Sequence, residues 1–262
     1  MSDFLKRMAE GSARRLAEAR ARTAQPEMRR AAEHMPPARP LKLAERPAVI
    51  AEIKRVAPSV GVLSADVDVV LRATKYAEGG AAAISVLTEP EEFRGSLDDL
   101  RAASAASSVP VMRKDFLVEP CQLFEARACG ADGALLIAAC LDDATLTEML
   151  HTAEYLGMFA LVEAFDELDI ERAQRAGARI VGVNCRNLRD LSIDFERFEK
   201  LRLLIDSDHT AIAESGITTP EQFQRVAELG YHAALIGSAL MREQDPAVAI
   251  ASFRAAVPVE GS

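Results

Sequence analysis

Glu52 and Lys54 stand two residues apart in Val49-Ile50-Ala51-Glu52-Ile53-Lys54-Arg55, a run otherwise apolar enough to be a strand. Strand alternation puts both side chains on one side, and charge inside such a run is costly unless it is paired or used. Further along, Arg113-Lys114-Asp115-Phe116, Glu163, Asn184-Cys185-Arg186, Glu214-Ser215-Gly216 and Gly237-Ser238 each close a short apolar run. Lysines beside glutamates suit general acid–base work, and burial with proximity can tune their pKa values toward neutrality. Taken singly, each charge also reads as a solvated strand edge or half of a structural ion pair, and Asn184 as the cap of a turn. Their recurrence at the same end of successive runs points to one shared site.

The elements that position these residues alternate regularly. Eight short apolar, β-prone runs (Ala48–Ile53, Ala82–Leu87, Val109–Met112, Ala134–Ile137, Ala160–Val162, Ile180–Val183, Thr210–Ala213 and Ala233–Ile236) are separated by helical patterns such as Leu97–Ala106, Pro120–Cys129, Asp142–Leu156 and Pro220–Leu229. The spacing is that of βα units, and near-continuous apolar strands are those buried on both faces of a parallel sheet. This predicts a single α/β (β/α)8 TIM barrel, a fold that commonly takes about 250 residues as one domain. An open doubly wound sheet is the competing architecture, but no G-x-G-x-x-G follows the first strand. Before the barrel, residues 2–22 carry Leu5, Ala9, Ala13 and Leu16 on one helical stripe, and a second short helix is expected at Glu27–Glu33, ahead of a Pro-rich break. Residues 1–46 are therefore expected to form a helical extension lying as a lid across one mouth of a barrel at 47–262.

Composition narrows the function. The 262 residues carry a net charge of −9, divided into +5 over residues 1–47 and −14 over the rest. That acidic body argues against a nucleic-acid partner. No apolar run approaches the ~20 residues of a membrane span, so no membrane partner is expected. Glu10, Glu18, Glu27 and Glu33 in the basic stretch weigh against a transit peptide. Cys121, Cys129, Cys140 and Cys185 form no CxxC cluster, and the four histidines are scattered. Inert thiols in a reducing cytoplasm are expected, with no metal site.

Two further features describe a ligand. Ser215-Gly216 after the seventh strand and Gly237-Ser238 after the eighth match the phosphate cradle that such barrels build there, where backbone N–H groups approach an anion closely. Arg186 adds a charge-assisted contact. Phe93 and Phe116, on the loops after strands two and three, offer an apolar wall for an aromatic group, although ordinary loop packing also explains them.

Together these segments resemble the indole-3-glycerol-phosphate synthase family, the ring-closing decarboxylases of tryptophan biosynthesis. The resemblance runs from about Pro47 to Pro246. It is carried by Val49–Arg55, Ser85-Val86-Leu87-Thr88-Glu89 with Phe93-Arg94-Gly95-Ser96, Lys114-Asp115-Phe116, Gly157-Met158 leading to Leu161-Val162-Glu163, Gly182–Leu188, Ala213–Ile217 and Leu235–Ser238. It implies a cytoplasmic enzyme, a monomer or weak homodimer, that needs no metal or organic cofactor. Its small-molecule phosphorylated substrate would be 1-(2-carboxyphenylamino)-1-deoxy-D-ribulose 5-phosphate. The products would be indole-3-glycerol phosphate, carbon dioxide and water.

By matching motif, the resemblance makes Lys114 the general acid and Glu163 its acid/base partner. Lys54, held by Glu52, would sit near the departing carboxylate and assist loss of hydroxide. Asn184, Ser215 and Glu214 would orient the substrate, and Arg186, Gly216, Gly237 and Ser238 would hold its phosphate. Phe93, Phe116, Leu135 and Leu188 would line the aromatic pocket. One departure is Ala57-Pro58-Ser59 where the family has Ser-Pro-Ser, which removes a hydroxyl expected to help hold phosphate. It leaves open a specialised paralogue serving a secondary pathway. Phosphoribosylanthranilate isomerase and the tryptophan synthase α-subunit are disfavoured by the Glu52, Lys54 and Lys114 set. A catalytically inactive phosphate-binding barrel acting as a partner subunit is disfavoured because every ionisable position is intact.

Overall fold

In the computed structural model, which describes residues 2–44, 47–57, 60–187 and 192–257, each apolar run of the sequence becomes a parallel strand. The strands are β1 (Ala48–Ile53), β2 (Ala83–Leu87), β3 (Val111–Lys114), β4 (Gly133–Ile137), β5 (Phe159–Ala164), β6 (Ile180–Asn184), β7 (Thr210–Glu214) and β8 (Ala233–Ile236). Each pairs with its neighbour in chain order, and β8 pairs back onto β1 with Ala48 opposite Ala233. The sheet is therefore a closed barrel with no open edge.

Helices α3 (Val69–Glu78), α4 (Leu97–Ala106), α5 (Cys121–Ala128), α6 (Asp143–Tyr155), α7 (Glu167–Arg175), α8 (Glu196–Arg202), α9 (Pro220–Glu228), α10 (Ser238–Arg242) and α11 (Pro246–Ala255) follow the strands. The sequence marks where several of them begin. Asp68, Ser96, Asp142, Asp166, Thr219 and Asp245 each accept a backbone N–H of the first turn through their side chain, satisfying donors that a helix N-terminus leaves open.

Alternation along the strands produces two cores. Val49, Ala51 and Ile53 face the surrounding helices, in one cluster with Ile84, Val86, Val181 and Val183. Ile50, Met112, Leu135, Leu161, Ile212 and Leu235 fill the inside of the barrel. The interior is thus packed beneath its mouth, and the polar residues that break the alternation emerge above it.

β3 lies two residues later than the apolar run suggested. Pro110 lacks an N–H and precedes the strand, while Arg113 and Lys114 extend it. Arg113 lies on the helix side and is buried, which it tolerates by bonding Glu125 at 2.7 Å, Asp115 at 3.1 Å and Thr88 Oγ1 at 3.2 Å.

The N-terminal extension divides between two tasks. Helix α1 (Asp3–Arg22) brings Leu5 and Met8 onto Phe116, Leu135 and Ile137, over the end of the barrel where strands β3 and β4 finish. The short helix α2 (Gln25–Glu33) leaves the mouth and packs on the flank, with Met28 and Ala32 against Cys121 and Phe124. The expected lid is α1 alone. The chain breaks at Thr23-Ala24, and the apolar side of α2 finds its partner in α5.

Arg15 fastens α1 to the site loops. Its guanidinium lies 2.8 Å from Asp115 and 3.4 Å from Glu89, both fully buried carboxylates. Glu89 in turn accepts the backbone N–H groups of Glu91, Glu92 and Phe93, and Asp115 accepts those of Phe116 and the Thr88 hydroxyl. Removing the Arg15 side chain leaves two buried anions short of a donor. Arg15→Ala is therefore expected to lower stability by about 1–3 kcal/mol. Arg7→Ala, which breaks the exposed pair with Glu92 and the cation–π contact with Phe4, should cost no more than ~1 kcal/mol. Urea midpoints measure both, and equal midpoints for the two variants would contradict this reading of the clamp.

Candidate active site

The polar strand ends converge at the mouth under α1. A single pocket there is lined by Glu52, Lys54, Lys114, Glu163, Asn184, Glu214 and Ser215, by Phe93, Phe116 and Leu135, and by Arg186, Gly216, Gly237 and Ser238. Of the residues expected from sequence, Leu188 lies outside the described residues; the others come together.

Their pairing is specific. Lys54 Nζ lies 2.5 Å from Glu52 Oε1. Lys114 Nζ stands between two carboxylates, 3.5 Å from Glu163 Oε2 and 3.6 Å from Glu214 Oε2. Both Glu214 oxygens are buried and neither has a hydrogen-bond partner among the described residues, so the carboxyl sits in a buried recess of the pocket wall, facing the Lys114 ammonium at ion-pair distance.

The expectation that lysines and glutamates here tune one another toward neutrality holds for Glu214 and fails for Lys114. Burial by itself would lower the Lys114 pKa, but Glu163, Glu214 and Glu52 together raise it above the ordinary lysine value. Three anions around one cation outweigh its desolvation. The group moved toward neutrality is Glu214. Burial, reinforced by the negative charges of Glu163 and Glu52 and opposed by Lys114, pushes it up to about 8. Glu214 is therefore shifted toward its protonated form while Lys114 remains an ammonium.

The turns after β7 and β8 sit beside this cluster. Ser215 and Gly216 adopt φ of 69° and 72° in succession, a left-handed stretch that only glycine enters without strain. At Gly216 a Cβ would also come within 2.7 Å of Cys185 Sγ. Asn184 lines the pocket and also performs the turn-capping task open to it from sequence, since its Oδ1 accepts the Arg186 N–H at 2.9 Å. The left-out side chain of Gly237 makes room for the ionic pair: a Cβ there would lie 2.2 Å from Glu52 Oε1 and 2.8 Å from Lys54 Nζ. Cys140 and Cys185 are unpaired thiols, each pushed up to about 12 chiefly by burial, and inert as nucleophiles.

Phe93 and Phe116 form a tilted pair with ring centroids 6.2 Å apart, and Phe4 of α1 meets Phe116 edge-on at 6.0 Å. Phe4, Val60, Ile193 and Arg242 line the pocket without having been picked out from sequence. Phe4 lies on the lid stripe next to Leu5, which is the one sign the sequence carries. The others lie on loops and a short helix whose approach depends on tertiary folding.

Comparison with known proteins bears on this arrangement. The family model described as "Indole-3-glycerol phosphate synthase" matches residues 5–253. The protein of that name from Streptomyces griseus is 45% identical over 244 residues, covering 92% of this chain and 91% of its own. The one from Mycobacterium leprae is 48% identical over 205 residues, 78% of this chain and 75% of its own. Among solved structures, 3-hexulose-6-phosphate synthase from Salmonella typhimurium superposes with a TM-score of 0.66 at 14% identity, over 80% of this chain and 98% of that one, a likeness of fold alone. No helix among the described residues is long and apolar enough to cross a membrane.

The Glu214 proton has a thermodynamic consequence. In the unfolded chain the carboxyl releases its proton near the ordinary value of 4.5, whereas the fold retains it to about pH 8. The folded state binds the extra proton between those values, so this group's contribution is fully present below pH 4.5 and is lost as pH rises toward 8. Glu214→Gln is expected to flatten that part of the stability–pH curve. Urea midpoints at pH 5, 7 and 9 that fall identically in both proteins would contradict it.

Proposed function

This chain belongs to the indole-3-glycerol phosphate synthase family, and from that membership we propose which of its residues carry out each part of the reaction. The activity is closure of the indole ring with loss of carbon dioxide and water, in tryptophan biosynthesis, on a small phosphorylated substrate. The observation that carries the residue assignment is the Lys114 ammonium held between Glu163 and Glu214 in the same pocket as the Lys54–Glu52 pair.

Ring closure joins the aromatic carbon bearing the carboxylate to the carbonyl carbon of the ribulose chain, and the carbonyl oxygen must gain a proton as it gains charge. Lys114 is the donor. Its raised pKa keeps it charged until the developing alkoxide takes the proton. Glu163, 3.5 Å away, receives and returns protons as the cationic intermediate loses carbon dioxide and then water. Lys54, fixed by Glu52, sits where the departing carboxylate and hydroxide meet a positive charge.

Glu214, with Asn184 and Ser215, orients the substrate hydroxyls and amine. Phe93, Phe116, Leu135 and, from α1, Phe4 clasp the aromatic ring. Arg186 and the backbone at Gly216, Gly237 and Ser238 hold the phosphate. That handle supplies binding energy remote from the reacting carbons and draws a flexible chain into one reactive shape.

The chain has no Trp, so indole fluorescence should grow on a dark background when the protein meets the carboxyphenylamino ribulose phosphate. No growth at saturating substrate would reject the activity. Lys114→Ala should lower kcat by ~10²–10⁴-fold while the product still binds; an unchanged kcat rejects its acid role. Ala57 lines the pocket, so Ala57→Ser should lower KM several-fold, consistent with a hydrogen bond of ~0.5–1.5 kcal/mol. An unchanged KM would mean that a hydroxyl at 57 does not reach the phosphate.

A further inference from the structure

We propose that Gly182 is a positioning residue for this reaction: a position without a side chain on the inner face of β6 is what allows the Glu214 carboxyl to lie against that strand and face Lys114. The inference rests on the assignment of Lys114 above and extends it to a residue that touches no substrate.

Ile180 packs with the inner cluster and Asn184 lines the pocket, whereas Val181 and Val183 face the helices. Residue 182 therefore faces inward, one step below Asn184. It pairs with Glu163 of β5 on one side and Ile212 of β7 on the other, and so lies between the strands that deliver the two carboxylates flanking Lys114.

Glycine in the middle of a strand is a poor choice for the strand itself, since it costs backbone entropy and packs nothing. It is explained when the backbone needs a positive φ, but Gly182 is not among the positive-φ residues, and alanine suits its conformation. The reason is space. A Cβ at 182 would stand 2.0 Å from Glu214 Oε1, 3.0 Å from its carboxyl carbon and 3.0 Å from Leu161 Cδ1. Leu161 belongs to the packed interior, so it blocks one direction of escape. The carboxyl would have to swing away from β6, which changes its 3.6 Å approach to Lys114 and takes it out of its buried recess in the pocket wall.

The test is a double-mutant cycle. Gly182→Ala should lower kcat by about 10–100-fold, the effect of a misplacement of the order of 1 Å, with KM changed less than about threefold. Glu214→Asp, one methylene shorter, should lower kcat in the wild-type background. In the Gly182→Ala background it should raise kcat, because the shorter side chain relieves the contact. That reversal of sign supports the proposal; an equal loss in both backgrounds, or wild-type kcat for Gly182→Ala, overturns it. If Gly182→Ala does not fold, recovery of folding on adding Glu214→Asp supports the contact and failure to recover overturns it. A wild-type protein without turnover would strike the functional reading instead. The contact itself is then judged by stability against pH: Gly182→Ala should flatten the slope between pH 5 and 9 if it drives the carboxyl from its recess, and an unchanged slope overturns the proposal.

Discussion

Lys114 sits in a ring of carboxylates at the top of a barrel packed with apolar side chains, and the rest of the site is arranged around the cost of keeping it there. An ammonium taken out of water is stable only if anions replace the lost solvation, and anions crowded together are stable only if a cation or a proton separates them. Glu163 and Glu214 meet the first requirement at 3.5 and 3.6 Å. The second is met by the Lys114 cation itself and by the raised proton affinity of Glu214. One set of neighbours thus keeps the lysine charged and shifts one carboxyl toward its neutral form.

The barrel wall supplies the precision. Strand ends fix the Cα positions of Lys114, Glu163, Asn184 and Glu214 by backbone pairing, with Glu163 opposite Gly182 and Asn184 opposite Glu214. The remaining freedom is in the side chains, and it is removed by contacts of different kinds: the ion pair at Glu52 and Lys54, the Arg15 clamp behind Lys114 and Phe93, and the close approach of Glu214 to β6. Two of the contacts depend on what is missing. Where Gly182 and Gly237 stand, any side chain would displace an ionisable group of the cluster.

The strand order and the polar rim were legible because both rest on local signals: a run of apolar residues buried on two faces, and a charge that interrupts it. Boundaries suffered where polar residues belong to the strand, as at Arg113 and Lys114, which the apolar pattern ends too early. The packing face of α1 was visible in part, at Leu5 and Leu16, whereas Ala13 of the expected stripe is exposed and Met8 and Ser12 are buried in its stead; the departure of α2 to the flank was not visible, since it depends on the face that α5 presents. The direction of the Lys114 and Glu214 pKa shifts was out of reach for a different reason. Residue types reveal that lysines and glutamates meet, but whether burial or charge prevails depends on distances, and three carboxylates around Lys114 reversed the expected sign.

The clamp on α1 also orders events during synthesis. Arg15 and Asp115 are separated by 100 residues, so at the usual ~5–20 residues per second the helix leaves the ribosome about 5–20 s before its partner exists. During that interval its apolar stripe has no barrel to rest on, and the net +5 charge of the first 47 residues disfavours self-association of nascent chains. The mouth stays incomplete longer still: β8, which joins β1 and carries the chain into Gly237, is the last barrel strand in chain order. The rim therefore closes only once β8 has emerged, and a chain truncated before it would leave β1 and β7 each without a neighbour.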